Sequence, residues 1–267
     1  MILIPRKKRA KDNGASQTVK PKRKKRKKRE LDINKFAETI FNDISDYLGL
    51  KLLGIDQKLQ KDIVLEVMNI IITSTSYKPS IETLFKRIKR NRELINMIIA
   101  GKILEAIPVK KLTDTQLEFI IYNGARFIIS YVSELYKEIK RRGREDLLSY
   151  LKYIWEKYGI PAPVECPRCG FRAIMPDYSC YVCGYVVDDR YLRTKIGFEE
   201  KFKEYLASAS TAELRDVAEI GYVLVSEEGI RSPRYRVERR TLYYPIYLTK
   251  KDLSLIDEEI SKRKIPV

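Results

Sequence analysis

From Leu31 onward, apolar residues recur at helical spacing. Ile33, Phe36, Ile40, Ile44, Tyr47 and Leu48 fall three and four apart and predict one amphipathic helix over residues 31–48. A second helix is expected from Asp56 to Ile72. It is apolar nearly all round near its end, which places it centrally in a bundle. Pro79-Ser80 opens a short basic helix through Lys89, and a fourth helix covers Arg92 to Ile107, stopping before Pro108. Thr113 and Gln116 have capping-box spacing. They lead a long helix carrying Leu117, Ile120, Phe127, Tyr131, Leu135 and Ile139 to a stop at Gly143. The sixth helix runs from Arg144 to Tyr158, with Leu148, Leu151, Ile154 and Trp155 inward. Residues 31–160 therefore read as a helical domain, a bundle.

Gly159-Ile160-Pro161-Ala162-Pro163 reads as a stiff connector. Residues 161–190 hold every cysteine of the chain. Residues 191–267 then read as a small α+β domain. Two short helices are expected near 197–207 and 211–220, the second capped by Ser210 with Glu213. Strands are expected at Tyr222–Ser226, Tyr235–Arg240 and Leu242–Leu248, and a final helix after Thr249. Two helices followed by a strand pair resemble a winged-helix arrangement. The fold class expected is mostly α.

Charge changes this picture at the amino-terminal end. The chain of 267 residues has a formal net charge of +17, and residues 1–30 hold fourteen Lys or Arg against Asp12 and Glu30. The cations form two runs, Arg6, Lys7, Lys8, Arg9 and then Lys22, Arg23, Lys24, Lys25, Arg26, Lys27, Lys28, Arg29. Like charges at this density repel, and little apolar surface offsets ordering, so residues 1–30 read as a disordered tail. Such runs match phosphate backbones, and counterion release would make binding strongly salt-dependent. The tail resembles the basic extensions of ribosomal and chromatin proteins. The alternatives are a solvated tail or an anionic membrane surface. Neither run has the apolar face a membrane helix needs.

A second basic stretch interleaves Arg231, Arg234, Arg236, Arg239 and Arg240 with Tyr235, Tyr243 and Tyr244. Arginine pairs with phosphate, and tyrosine can stack on unpaired bases. The plainer reading is an exposed strand face above a core face. Helix 80–90, with Lys86, Arg87, Lys89 and Arg90, is a further basic surface or simply a solvated one.

The cysteines are spaced C-x2-C-x10-C-x2-C, as Cys166-Pro-Arg-Cys169-Gly170-Phe171 and Cys180-Tyr-Val-Cys183-Gly184-Tyr185. Two residues between cysteines let one tight turn present both thiolates to one ion, and the following glycine can take positive φ. Two such turns supply a closed shell of four thiolates, the mark of a structural rather than a catalytic zinc site. The segment resembles the zinc-ribbon family, and its CxxCG-aromatic turns are similar to rubredoxin knuckles. The resemblance implies that Cys166, Cys169, Cys180 and Cys183 are all ligands. The short ten-residue gap favours a compact double knuckle over a three-stranded ribbon. Iron in place of zinc, or disulfides, are the alternatives.

Histidine is absent, which removes the usual general base near neutral pH. No phosphate-binding glycine loop, nucleophile elbow or two-metal acidic cluster occurs, and Asp188-Asp189 is expected to be loop. No apolar run reaches membrane-spanning length, and the start is not a secretory signal, so a cytoplasmic protein is expected, ribosome- or nucleoid-associated. The high Lys, Glu and Ile content suits a hyperthermophile. The reading that follows is a non-enzymatic nucleic-acid-binding zinc protein of an archaeal information-processing assembly. RNA is slightly favoured. DNA or transcription association, or docking on protein partners in a larger complex, is the rival.

Overall fold

The computed structural model describes residues 31–72, 77–235 and 241–264. The tail 1–30 lies outside the described residues, and so do Arg236, Arg239, Arg240 and most of the strand expected at 235–240.

The bundle is built from α1 (Ile33–Thr39), α2 (Phe41–Leu48), α3 (Gln57–Ile71), α4 (Ile81–Arg90), α5 (Arg92–Ala106), α6 (Asp114–Asn123), α7 (Val132–Arg142) and α8 (Glu145–Tyr158). As its sequence implies, α3 is central. It packs against α1, α2, α4 and α5 and buries Leu59, Ile63, Val64, Val67, Met68 and Ile71. The buried polar groups beside it are paired: Ser45 donates to Gln60 at 2.8 Å, and the Gln60 amide donates to the Ile55 carbonyl at 2.8 Å. Thr113 and Gln116 form both bonds of the capping box. The Gln116 amide also donates to the Leu53 carbonyl at 2.8 Å, joining α6 to the 3₁₀ turn Leu50–Leu53.

Two expected helices are broken. The helix over 31–48 stops at Ile40, where the Thr39 hydroxyl donates back to the Phe36 carbonyl at 2.7 Å and competes with the helical ladder. The long helix toward Gly143 ends at Asn123-Gly124, runs through a 3₁₀ segment (Ala125–Tyr131) and resumes as α7. Gly124 explains the break. A Cβ there would lie 2.2 Å from Ile128 Cγ2 and 2.7 Å from the Ile120 carbonyl oxygen, so any side chain would collide with the turns on either side. In consequence Phe127, expected inward, is exposed. Within α8 the fully buried leucines are Leu147 and Leu151, with Leu148, expected inward, only partly covered.

Past the cysteine segment lie α9 (Asp189–Ile196), α10 (Phe198–Ser208) and α11 (Thr211–Ile220). Helix α9 was expected to be loop at its start. Asp188 caps it by accepting from the Tyr191 amide at 2.6 Å, and Gly197 ends it at φ 70°. A small antiparallel sheet follows in the order β2-β1-β3, from β1 (Tyr222–Val225), β2 (Ile230–Arg231) and β3 (Tyr244–Tyr247). In register Val223 faces Ile246 and Val225 faces Tyr244, so one face is apolar and buried. Helix α12 (Lys250–Lys264) closes the chain. Arg263 on it donates to the carbonyls of Leu206 and Ala209, satisfying the end of α10. Among the described residues, no helix is long and apolar enough to cross a membrane.

Candidate metal centre

Both cysteine pairs adopt the same turn. In the first, the Gly170 amide donates to the Cys166 carbonyl at 2.9 Å and the Cys166 amide to the Phe171 carbonyl at 2.8 Å. In the second, Gly184 donates to Cys180 at 2.8 Å and Cys180 to Tyr185 at 2.7 Å. The turn demands a left-handed residue after its second cysteine, and Gly170 and Gly184 supply it at φ 73° and 72°. Backbone amides then aim at sulfur: Phe171 at Cys169, Tyr185 at Cys183, and Val182 and Cys183 at Cys180. Only isolated bridges, such as Glu165 with Arg172 and Ile174 with Cys180, link the segment. It is a double knuckle, as the short gap implies.

The turns converge. All four sulfurs lie within 4.8 Å of one another, and Cys166–Cys183 and Cys169–Cys180 are each 3.6 Å apart. All four cysteines are free; a disulfide would need its sulfurs at about 2.05 Å. Four thiolates around one ion at metal–sulfur distances of about 2.3 Å stand about 3.7 Å apart. The cluster can hold a metal ion. The thiol of Cys169 donates to Cys180 and, with the amides beside it, draws Cys180 down to about 5. Sharing that proton and burial push Cys169 far up, and burial chiefly pushes Cys183 up to about 11. Four anionic sulfurs this close repel one another, and a cation between them would offset that repulsion.

The knuckles are wedged between bundle and sheet. Phe171, Ala173, Ile174 and Val182 are buried in the same contiguous core as α7, α8 and β3. Tyr136 of α7 meets Phe171 edge-on at 5.9 Å. Trp155 of α8 stacks on Tyr181 at 5.5 Å and donates its indole N–H to the Arg172 carbonyl at 2.9 Å. On the other side, buried Tyr244 of β3 donates to the Ile174 carbonyl at 2.8 Å. Tyr178 sits in the gap between the knuckles at φ 68°, a conformation a bulky residue rarely takes. Its hydroxyl donates to the Pro245 carbonyl at 2.7 Å and lies 3.2 Å from Asp189, tying the gap to both β3 and α9. These partners were not legible one by one. Trp155 and Tyr244 carry only an apolar signal in the sequence, and their polar tips are revealed by the fold.

The other predicted site residues are not gathered here. Arg6, Lys7, Lys8, Arg9 and the run from Lys22 to Arg29 lie outside the described residues. Arg234 is exposed and pairs with Asp216 at 3.0 Å and Glu219 at 3.4 Å of α11. Tyr244, considered as a stacking platform, is turned into the core by β3, and Tyr243 just before the strand is buried as well, so neither offers a face to a base. Arg87 of the basic helix α4 donates to the Ile71 carbonyl at 2.8 Å and thereby closes the end of α3. No protein-family model, curated protein or solved structure matches this chain.

Proposed function

We propose that this chain is a non-enzymatic zinc protein that binds nucleic acid, RNA rather than duplex DNA. The metal has a structural role: four sulfurs fill the shell, leaving no position for substrate, and the ion rigidifies the joint between bundle and sheet. Zinc is the ion this chemistry favours, with four backbone amides softening the thiolate charge. The amino-terminal segment makes the contact with phosphate.

The single observation that carries the nucleic-acid reading is the concentration of charge: residues 1–30 hold fourteen of the chain's 53 Lys and Arg. The preference against duplex DNA rests on α11. In a winged-helix-like reading of residues 191–267, α11 would be the helix offered to the major groove. It carries Glu213, Asp216 and Glu219 against one Arg215, the wrong sign for a phosphate-lined groove.

Removing residues 1–30 tests this. Affinity for a labelled RNA, followed by fluorescence anisotropy across a salt series, is expected to fall at least a hundredfold, and the slope against log salt to flatten. Equal affinity with and without the segment refutes the reading. Elemental analysis of the purified chain is expected to give one zinc; a coloured iron protein refutes the zinc assignment. The rival reading, docking on protein, draws on the second knuckle, where Tyr181, Tyr185 and Val186 are exposed side by side. It is favoured instead if a Tyr185→Ser, Val186→Ser variant loses copurifying protein while RNA binding is intact.

A further inference from the structure

Apart from the cysteine segment, a groove of about 580 Å³ opens between α5, the end of α6 and α8. Its walls combine two chemistries. A row of rings crosses it: Tyr122 meets Tyr150 at 5.0 Å, and Tyr150 meets Tyr153 at 5.8 Å. Tyr122 and Tyr153 at the two ends of the row are 52% and 50% exposed. Cations stand around the row. Arg92 and Arg126 line it and form no ion pair among the described residues. Lys157 is held over the rings of Tyr153 at 5.5 Å and Tyr158 at 5.1 Å. Glu93 is the lone carboxylate of the lining, so three cations face one anion.

Two further features mark its wall. Asn96 lines the groove and spends its amide donor on Asn123 at 2.8 Å, yet its Oδ1 is buried without a hydrogen-bond partner among the described residues. An orphan acceptor of this kind is costly, and its burial keeps it out of reach from the groove. Ala125, also in the wall, takes φ 43°, a strained left-handed conformation for a residue with a Cβ. This strained turn lies just past the end of α6, with Tyr122 before it and Arg126 after it in the same wall.

We propose that the groove holds a single-stranded nucleic-acid segment. Bases stack on Tyr122 and Tyr153, and Arg92, Arg126 and Lys157 meet the phosphates. The inference rests on the nucleic-acid reading above and deepens it by placing a base-contacting site on the folded chain. The match is one of charge and shape together. A duplex hides its base faces and has nothing to stack on the rings. An acidic peptide would answer the cations but leave the ring faces uncovered.

The test uses the full chain. Anisotropy is measured on a labelled single-stranded oligouridine and on a duplex hairpin of equal length, at a salt concentration that weakens the tail. The wild type is expected to prefer the single strand. The double variant Tyr122→Ala, Tyr153→Ala is expected to lose about tenfold to a hundredfold of single-strand affinity while duplex binding is unchanged. Tyr122→Phe, Tyr153→Phe is expected to keep the preference, since the ring faces persist. The proposal is overturned if the alanine variant binds the single strand as the wild type does, or loses affinity for both substrates equally. It is also overturned if uridine monophosphate competes as well as the oligomer, which would make the occupant a free nucleotide, or if hexaglutamate competes better, which would make it a protein. Failure of any nucleic acid to bind would instead remove the reading on which the proposal stands.

Discussion

Removing the metal should release Trp155 without melting the bundle. Trp155 is the sole tryptophan of the chain and is 3% exposed. Two of its contacts belong to the knuckles: the Tyr181 ring and the Arg172 carbonyl. Covering one face of an indole removes about 100 Å² of apolar surface from water, worth about 2–3 kcal/mol, and the indole hydrogen bond adds about 1 kcal/mol. A structural zinc contributes on the order of 10 kcal/mol to folding its own segment. The packing on Trp155 is therefore too weak to hold the knuckles once the ion leaves. The bundle keeps the residues buried along α3 and α5, whereas the ring contacts to the knuckles come from α7 and α8. Titration with a chelator, with thiol release followed in parallel, is expected to shift tryptophan emission to the red in step with four thiols freed. Far-ultraviolet helicity should fall only slightly. Emission that stays constant while the ion is fully released would show that the knuckles fold without metal. Collapse of helicity in the same transition would show that the bundle depends on them. Either outcome refutes the reasoning.

Other residues make independent claims. Glu138 on α7 is buried between Arg141 and Arg142, and hydrogen bonds, first from Arg141, hold its carboxyl down from 4.5 to about 2. A depressed folded pKa contributes stability that is fully present above the unfolded value near 4.5 and is lost as pH falls toward 2. Glu138→Gln is expected to cost about 2 kcal/mol at pH 7 in urea melts, and the difference from wild type should shrink by pH 2. Gly124→Ala is expected to cost about 3 kcal/mol, because its Cβ meets Ile128 Cγ2 at 2.2 Å. Part of that should return when Ile128→Ala is added, measured as a coupling in a double-mutant cycle. Tyr244→Phe leaves the buried ring but frees the Ile174 carbonyl, and should lower urea stability by about 1–2 kcal/mol with the metal content unchanged.

The parts that were legible in the sequence are those decided locally. Two CxxCG turns announce the metal centre because each turn needs its own glycine and presents its own two sulfurs. Thr113 and Gln116 announce a helix start because the capping box closes within four residues. What periodicity hides is where a helix stops for tertiary reasons. Residues 114–142 keep a helical rhythm, yet Gly124 is pressed against Ile128 and the Ile120 carbonyl, so the chain turns there. Asn123-Gly124 is a breaker pair, and it was the available signal. Asp188 and Gly197 likewise bracket α9 with a start and a stop, but the helix between them has only Leu192 and Ile196 fully buried. Its brief apolar pattern is easily lost beside the cysteines. The groove row illustrates the opposite limit. Tyr122, Tyr150 and Tyr153 come from two helices, and only the packing of α6 on α8 lines them up.

On the proposed reading, the cationic segment and the aromatic groove respond differently to salt, and this separates their roles. A contact made of lysines on phosphate owes its free energy to released counterions, and weakens as roughly the power of salt concentration set by the phosphates neutralised. A base on a tyrosine face is held by stacking, which ions barely screen. Raising salt should therefore strip the contribution of residues 1–30 from both single strand and duplex, while the difference between the two substrates stays nearly constant. Total affinity and selectivity would then reside in different parts of one chain. Selectivity that disappears along with affinity as salt rises would mean that the rings of Tyr122 and Tyr153 take no part, and that electrostatics alone accounts for binding.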